Sequence, residues 1–229
     1  MPDPFQDTLA TLKAASAEYQ AVLVSYSGGK DSLAVLDMCL RNFPRVETFL
    51  MSFLPGMRFY AEKIAWVQEQ FGVICREYPS WLLYKCIRNA PYSDPKLKYD
   101  DLPQWSLGEV YALARADSGI RLIAHGAKFA DSPWRRRTLT AKMKDDADVI
   151  YPLATWTKRD VVAFCARRGI PVPEQMGCDL TERNLFNMHE KYPDDYERIC
   201  QVFPYAPAAL YRRKLYGPRE QGGRLTRSG

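Results

Sequence analysis

One apolar run that breaks into a glycine turn and resumes as a helical pattern constrains this chain more than any other stretch. Val22-Leu23-Val24-Ser25-Tyr26 has the apolar, β-type character of a buried strand. Ser27-Gly28-Gly29 follows as a turn, and Leu33, Val35, Leu36, Cys39 and Leu40 then mark one face of a helix. Strand, tight turn and helix N-terminus together make an anion site. The glycines let backbone approach closely, the free N–H groups of the first helical turn point outward, and the helix dipole favours negative charge. Lys30 adds a mobile positive charge, and Ser25, Ser27 and Ser32 add short donors. The spacing is not the GxxxxGKS/T phosphate loop, because Val24 stands where its first glycine belongs, nor is it GxGxxG.

The rest of the chain alternates in the same way. An amphipathic helix from about Phe5 to Tyr19 precedes the first strand, Ala21 to Ser25, and the helix from Asp31 to about Arg41. Further strands are expected at Val46–Phe53, Val73–Glu77, Arg121–Ala124 and Val149–Leu153. Tyr60, Ile64, Val67 and Phe71 space a helix from about Arg58, closed by Gly72. Ser80 caps one through Cys86, Ser106-Leu107-Gly108-Glu109 is a capping box opening one to about Asp117, and Thr157 opens another, stopped by Gly169 and Pro171. Asn89–Gln104 holds three prolines and reads as a long loop, a lid or a substrate-contacting segment. Short helices around Thr181–Glu190, Pro193–Val202 and Pro207–Leu215 close the chain.

This alternation predicts an α/β fold: a doubly wound, five-stranded parallel sheet of order 3-2-1-4-5 over residues 1–175, with a helical C-terminal extension over 176–229. Ligands in such sheets bind at the carboxyl ends of the strands where the order reverses, here between the first and fourth strands. The glycine turn is expected to meet there the segment His125–Arg137, which offers Lys128 and the run Arg135-Arg136-Arg137 to phosphate oxygens.

Ser27-Gly28-Gly29-Lys30-Asp31-Ser32 resembles, residue for residue, the SGGxDS signature of the PP-loop ATP pyrophosphatases. Two more segments make the chain look like the phosphoadenosine phosphosulfate (PAPS) reductase branch of that group. Gly126-Ala127-Lys128-Phe129-Ala130-Asp131-Ser132-Pro133-Trp134-Arg135 is similar to G-x-R-x-x-D/E-S-x-x-R, with lysine replacing the first arginine. Pro152-Leu153-Ala154-Thr155-Trp156-Thr157-Lys158-Arg159-Asp160-Val161 is similar to P-L/I-x-x-W-x-x-x-D-V. The arrangement, with Leu54-Pro55-Gly56 before a helix, also resembles short members encoded in phage and mobile elements. The resemblance implies an adenine nucleotide alpha hydrolase-like fold. It also implies a nucleotide site made by Ser25, Ser27, Gly28, Gly29, Lys30, Asp31, Ser32, Gly126, Lys128, Asp131, Ser132 and Arg135, with Lys30, Asp31 and Arg135 in catalytic roles.

The departures narrow the chemistry. Sulfonucleotide reductases attack with a cysteine in a C-terminal ECGLH motif, whereas the last cysteine here is Cys200. Many relatives carry a GC-x-x-C element, of which this chain keeps only Cys178, and they often carry a DTG element, replaced here by Leu54-Pro55-Gly56. Six scattered cysteines without any CxxC pair, and two histidines (His125, His189), argue against zinc and against an iron–sulfur cluster. Two enzymatic readings stay open. In one, Mg²⁺ and ATP bind, Asp31 helps hold the metal, and a substrate oxygen attacks the α-phosphorus to give an adenylylated acceptor and pyrophosphate. In the other, the loop holds PAPS and a thiol takes its sulfonate. A third reading is a nucleotide-sensing or nucleic-acid-binding subunit. From Tyr205 onward Arg212, Arg213, Lys214, Arg219, Arg224 and Arg227 face a single acid, Glu220, so the net charge of +5 resides in the tail.

No apolar run approaches the ~18 residues of a membrane span. Met1-Pro2-Asp3-Pro4 lacks the basic and apolar regions of a signal peptide. A cytoplasmic protein with free thiols is expected, with a nucleotide and a nucleic-acid or protein acceptor as partners. The identity of that acceptor and the oligomeric state are not legible.

Overall fold

The computed structural model describes residues 4–89, 92–94, 96, 105–173 and 180–217. They fall into two compact units. The first draws on Met1–Gly56, Tyr60–Trp81 and Trp105–Gln175, and the second on Met57–Phe59, Leu82–Gln104 and Met176–Gly229.

The first unit is built on five parallel strands, β1 (Ala21–Tyr26), β2 (Arg45–Ser52), β3 (Cys75–Pro79), β4 (Leu122–His125) and β5 (Val149–Ile150), in the order β3-β2-β1-β4-β5. The expected α/β topology is the observed one. β1 is the central strand and Val22 to Tyr26 are buried without interruption, as a strand covered on both faces requires. Leu23, Phe49 and Ile123 pack on one face with Val110, Tyr111 and Ala114 of α5 (Leu107–Ser118). The rings of Tyr78 and Tyr111 each meet Phe49 edge-on, with centroids 6.0 Å apart. Val22 and Val24 point the other way, where α2 (Lys30–Asn42) buries Leu33, Leu36 and Cys39. α1 (Pro4–Glu18) is tied in by Thr8, whose hydroxyl donates to the Pro152 carbonyl (2.5 Å) and accepts from the Trp156 indole N–H (2.8 Å).

Local chemistry set several ends where the sequence placed them. Ser106 and Glu109 form the capping box of α5, which stops at left-handed Gly119. Thr157 and Asp160 do the same for α7 (Lys158–Arg168), stopped by Gly169. α3 (Arg58–Phe71) and α4 (Trp81–Asn89) are also present, α4 running three residues past Cys86.

Three expectations change. β3 begins two residues later than Val73. β5 ends at Ile150 because Pro152 lacks an N–H and the chain turns, with Ala154 N–H bonded to the Tyr151 carbonyl at 3.0 Å. Residues 133–145, given no element from sequence, form α6 (Pro133–Asp145). Its polar composition hides any apolar stripe, with Leu139 its one deeply buried side chain among the described residues. Ser132 and Pro133 nonetheless make a good N-terminus.

In the second unit, α8 (Glu182–Lys191), α9 (Pro193–Val202) and α10 (Pro207–Tyr216) pack around Leu185, Met188, Ile199 and Phe203. Buried Asp195 accepts the N–H groups of Arg58 (2.9 Å) and Phe59 (2.8 Å). Arg212 pairs with Glu182, and the Arg213 guanidinium sits 3.9 Å over the Phe186 ring. Two of the tail's basic residues therefore contact this unit's own side chains. Arg219, Glu220, Arg224, Arg227, Cys178 and most of Asn89–Gln104 lie outside the described residues. No described helix is long and apolar enough to cross a membrane.

Glu47 is a buried ion on β2, bonded to Arg45 at 2.5 and 3.0 Å and to Arg76. Burial pushes its carboxyl up, and the Arg76 and Arg45 contacts more than offset this, leaving it below the usual range. The ionised form then stabilises the fold above the unfolded value of about 4.3, and that contribution is lost as pH falls through the folded value. Glu47→Gln is expected to lose about 2 kcal/mol at pH 7 in urea denaturation, the gap to wild type narrowing below about pH 4.

Candidate functional site

The parallel register delivers β1 and β4 to the same end of the sheet, with Ser25 opposite His125. Both strands then release a loop. In the first, Gly28 takes a φ of +77°, a conformation that suits glycine and strains other residues. Ser32 closes that loop on itself. Its hydroxyl donates to the Gly29 carbonyl (2.9 Å), accepts from the Ser27 N–H (3.2 Å) and lies 3.2 Å from the Ser27 hydroxyl. Gly29 precedes α2 without any side-chain cap, so the N–H groups of the first turn face outward without intrahelical acceptors. Such an end attracts anions through its N–H groups and the helix dipole.

The second loop comes against the first at Gly126. A Cβ there would stand 3.2 Å from the carbonyl carbon and oxygen of Asp31 and 3.3 Å from the Ser32 nitrogen, so the approach is between bare backbones. Beyond it lies a single 3-10 turn, Phe129–Asp131, and then the N-terminus of α6. Asp131 accepts the Lys128 N–H at 3.1 Å, and the Ser132 hydroxyl caps α6 by accepting the Arg135 N–H at 3.0 Å.

Charge ties the loops together. The buried Lys128 ammonium lies 2.9 Å from Asp31 Oδ2 and 3.0 Å from Asp131 Oδ1, while Lys30 Nζ contacts the Asp31 carboxylate at 2.9 and 3.0 Å. Burial raises the Asp131 carboxyl, and Lys128, supported by Arg135, pulls it below the usual range. The two lysines and two aspartates cancel formally. Arg135 stands exposed on the first turn of α6, and Lys63 of α3 lies beside the glycine turn, its Nζ reaching the Ser27 carbonyl at 3.4 Å.

The structure thus brings together Ser27, Gly28, Gly29, Lys30, Asp31, Ser32, Gly126, Lys128, Asp131, Ser132 and Arg135, with Ser25 buried on β1 beneath them. Lys128, read from sequence as a phosphate contact, is held between two carboxylates. Arg136 and Arg137 are exposed further along α6. Lys63 escaped sequence reasoning because no motif marks it. Only the fold lays α3 beside the glycine turn. Below the loop, the Cys165 thiol of α7 lies 3.7 Å from the Lys30 carbonyl, and burial pushes that thiol up.

The described residues contain no group of three His, Cys, Asp or Glu side chains able to hold a metal. Asp31, the one carboxylate expected to help hold Mg²⁺, is bonded to two lysines. These residues do not fit a protein-held Mg²⁺ site.

The model of the phosphoadenosine phosphosulfate reductase domain family matches residues 21–177 of the chain. No curated protein matches it.

Gly126→Ala should force the two backbones apart and cost about 1–2 kcal/mol in urea denaturation. Gly108→Ala is the control. Its new methyl group would meet only Ser106 Oγ at 3.8 Å, inside a helix that favours alanine, and stability should hold or rise slightly.

Proposed function

The chain belongs to the phosphoadenosine phosphosulfate reductase domain family, and on that footing we propose that it is a nucleotide-binding PP-loop enzyme that cleaves ATP to AMP and pyrophosphate while activating an acceptor. The observation that carries this reading is the backbone contact at Gly126. It sets the loop that leads to Arg135 against an uncapped helix N-terminus flanked by Lys30 and Lys63, an arrangement that suits a chain of phosphates better than a single charge.

In this reading the β- and γ-phosphates lie over the Ser27–Ser32 loop and accept its N–H groups and the Ser27 hydroxyl. Lys30 leaves Asp31 and turns to the phosphates. Asp31 keeps its contact with Lys128, which it shares with Asp131. An acceptor oxygen attacks the α-phosphorus, the new P–O bond forms, and the bond to the bridging oxygen breaks. Pyrophosphate departs with that electron pair. Lys30 and Arg135 stabilise the charge on the equatorial and leaving oxygens, a task of positioning and electrostatics. A nucleophile such as ammonia or sulfide then displaces AMP from the acceptor. When bound with ATP, Mg²⁺ would supply charge neutralisation on the phosphates.

The family description itself favours a second reading, a sulfonucleotide held by the same loop, with a thiol attacking its sulfonate. Among the described cysteines, Cys165 is the one beside the loop. Its thiol faces the Lys30 carbonyl from below, and burial disfavours the thiolate that attack needs.

Pyrophosphate release from ATP and Mg²⁺, with ammonia, sulfide and nucleic acid offered as acceptors, tests the first reading. Lys30→Ala and Arg135→Ala are each expected to lower the rate about 10²–10³-fold with the fold intact. A protein that binds PAPS far more tightly than ATP, and releases no pyrophosphate, would have the second activity instead.

A further inference from the structure

Beside the paired loops, on the β5 side of β4, lies a small cavity of about 40 Å³ lined by Tyr111, His125, Arg135, Thr138, Leu139 and Tyr151. Tyr111 sits on α5, only 4 % exposed, and its hydroxyl meets no hydrogen-bond partner among the described residues. A phenol buried this deeply and left unpaired is a net cost to the fold, which a bound ligand would remove. The Ala127 N–H donates to His125 Nδ1 at 3.0 Å. Arg135 makes no ion pair among the described residues, and the Thr138 hydroxyl hydrogen is directed to the carbonyls of Trp134 or Arg135. Among the described residues no carboxylate lines the cavity. One cation and a buried hydroxyl without a partner among the described residues select an oxygen anion. The volume holds roughly three water-sized centres, room for a three- to five-atom group but not for a nucleobase.

We propose that this cavity is a subsite for a compact oxyanion, bound by the Tyr111 hydroxyl and the Arg135 guanidinium, through which the second substrate is held next to the phosphate loop. The proposal rests on the reading of that loop as a nucleotide site for its catalytic meaning, but the anion binds by the cavity's own groups. Arg135 lines the cavity and acts on Asp131, the residue that shares Lys128 with Asp31 of the phosphate loop, which ties the bound anion to the nucleotide reading. The anion is either a free inorganic oxyanion or the carboxylate end of an organic acceptor.

Calorimetric titration of the full chain, free of nucleotide and at constant ionic strength balanced with chloride, separates these. Sodium sulfate is one arm and sodium formate the other. Saturable binding in the sulfate arm identifies an inorganic oxyanion, and in the formate arm a carboxylate. In whichever arm saturates, Tyr111→Phe should weaken binding tenfold or more, and Lys30→Ala should leave that site's affinity within twofold. Equal affinity in Tyr111→Phe and wild type overturns the proposal. So does binding that Lys30→Ala abolishes, which would belong to the phosphate loop, and so does no saturable binding in either arm. Because Tyr111→Phe removes only an unpaired hydroxyl, its melting temperature in plain buffer should equal or exceed that of wild type. A fall of several degrees would mean that the hydroxyl is satisfied by water and structural, and would overturn the assignment. Pyrophosphate release that fails while the Tyr111-dependent anion site persists removes the nucleotide reading and leaves the subsite standing.

Discussion

The backbone at Gly126 rests on the backbone of Asp31 and Ser32 with no side chain between them, and the candidate site depends on that contact. It brings the ends of β1 and β4 close enough for the Lys128 ammonium to bridge Asp31 of one loop and Asp131 of the other. Any residue with a Cβ at position 126 would separate the loops by a few tenths of an ångström, and the bridge would lengthen with them. The contact exists because β1 and β4 are neighbours at the point where the strand order reverses, so the sheet topology and the site are one constraint at two scales.

Within the site the charges divide by role. Lys128 is buried and fully engaged with two carboxylates, which suits a strut better than a ligand contact. Among the described residues Lys30 pairs only with Asp31, which keeps a second contact, to Lys128, when Lys30 turns to a phosphate. Arg135 reaches outward from a helix whose start is set by the Ser132 hydroxyl. The same turn therefore fixes both the interior strut and the exposed guanidinium. Asp131 pairs with the first, and its own charge is favoured by the second.

Much of this was legible before the structure. The central strand, the glycine turn and α2 follow from a continuous apolar run, two glycines and a helical period meeting within a dozen residues. Capping boxes at Ser106 and Thr157 located two helix starts because their chemistry is local. What stayed hidden depends on placement across the fold. α6 carries too few apolar residues to show a period, and only Ser132 and Pro133 marked its start. The strut role of Lys128 needs Asp31, far away in sequence, and from sequence the lysine looked like one more phosphate donor. Lys63, His125 and Tyr111 lie on three different elements, each ordinary by itself. They matter because α3, β4 and α5 all border the carboxyl end of the same sheet.

Hydrogen exchange on the full chain, with and without ATP and Mg²⁺, tests the central claim most directly. If the two loops form one polyphosphate site, the amides of residues 27–32 and of 126–132 gain protection together on adding nucleotide, while those of α8 to α10 do not change. Protection confined to one loop, or found only in α8 to α10, would contradict it.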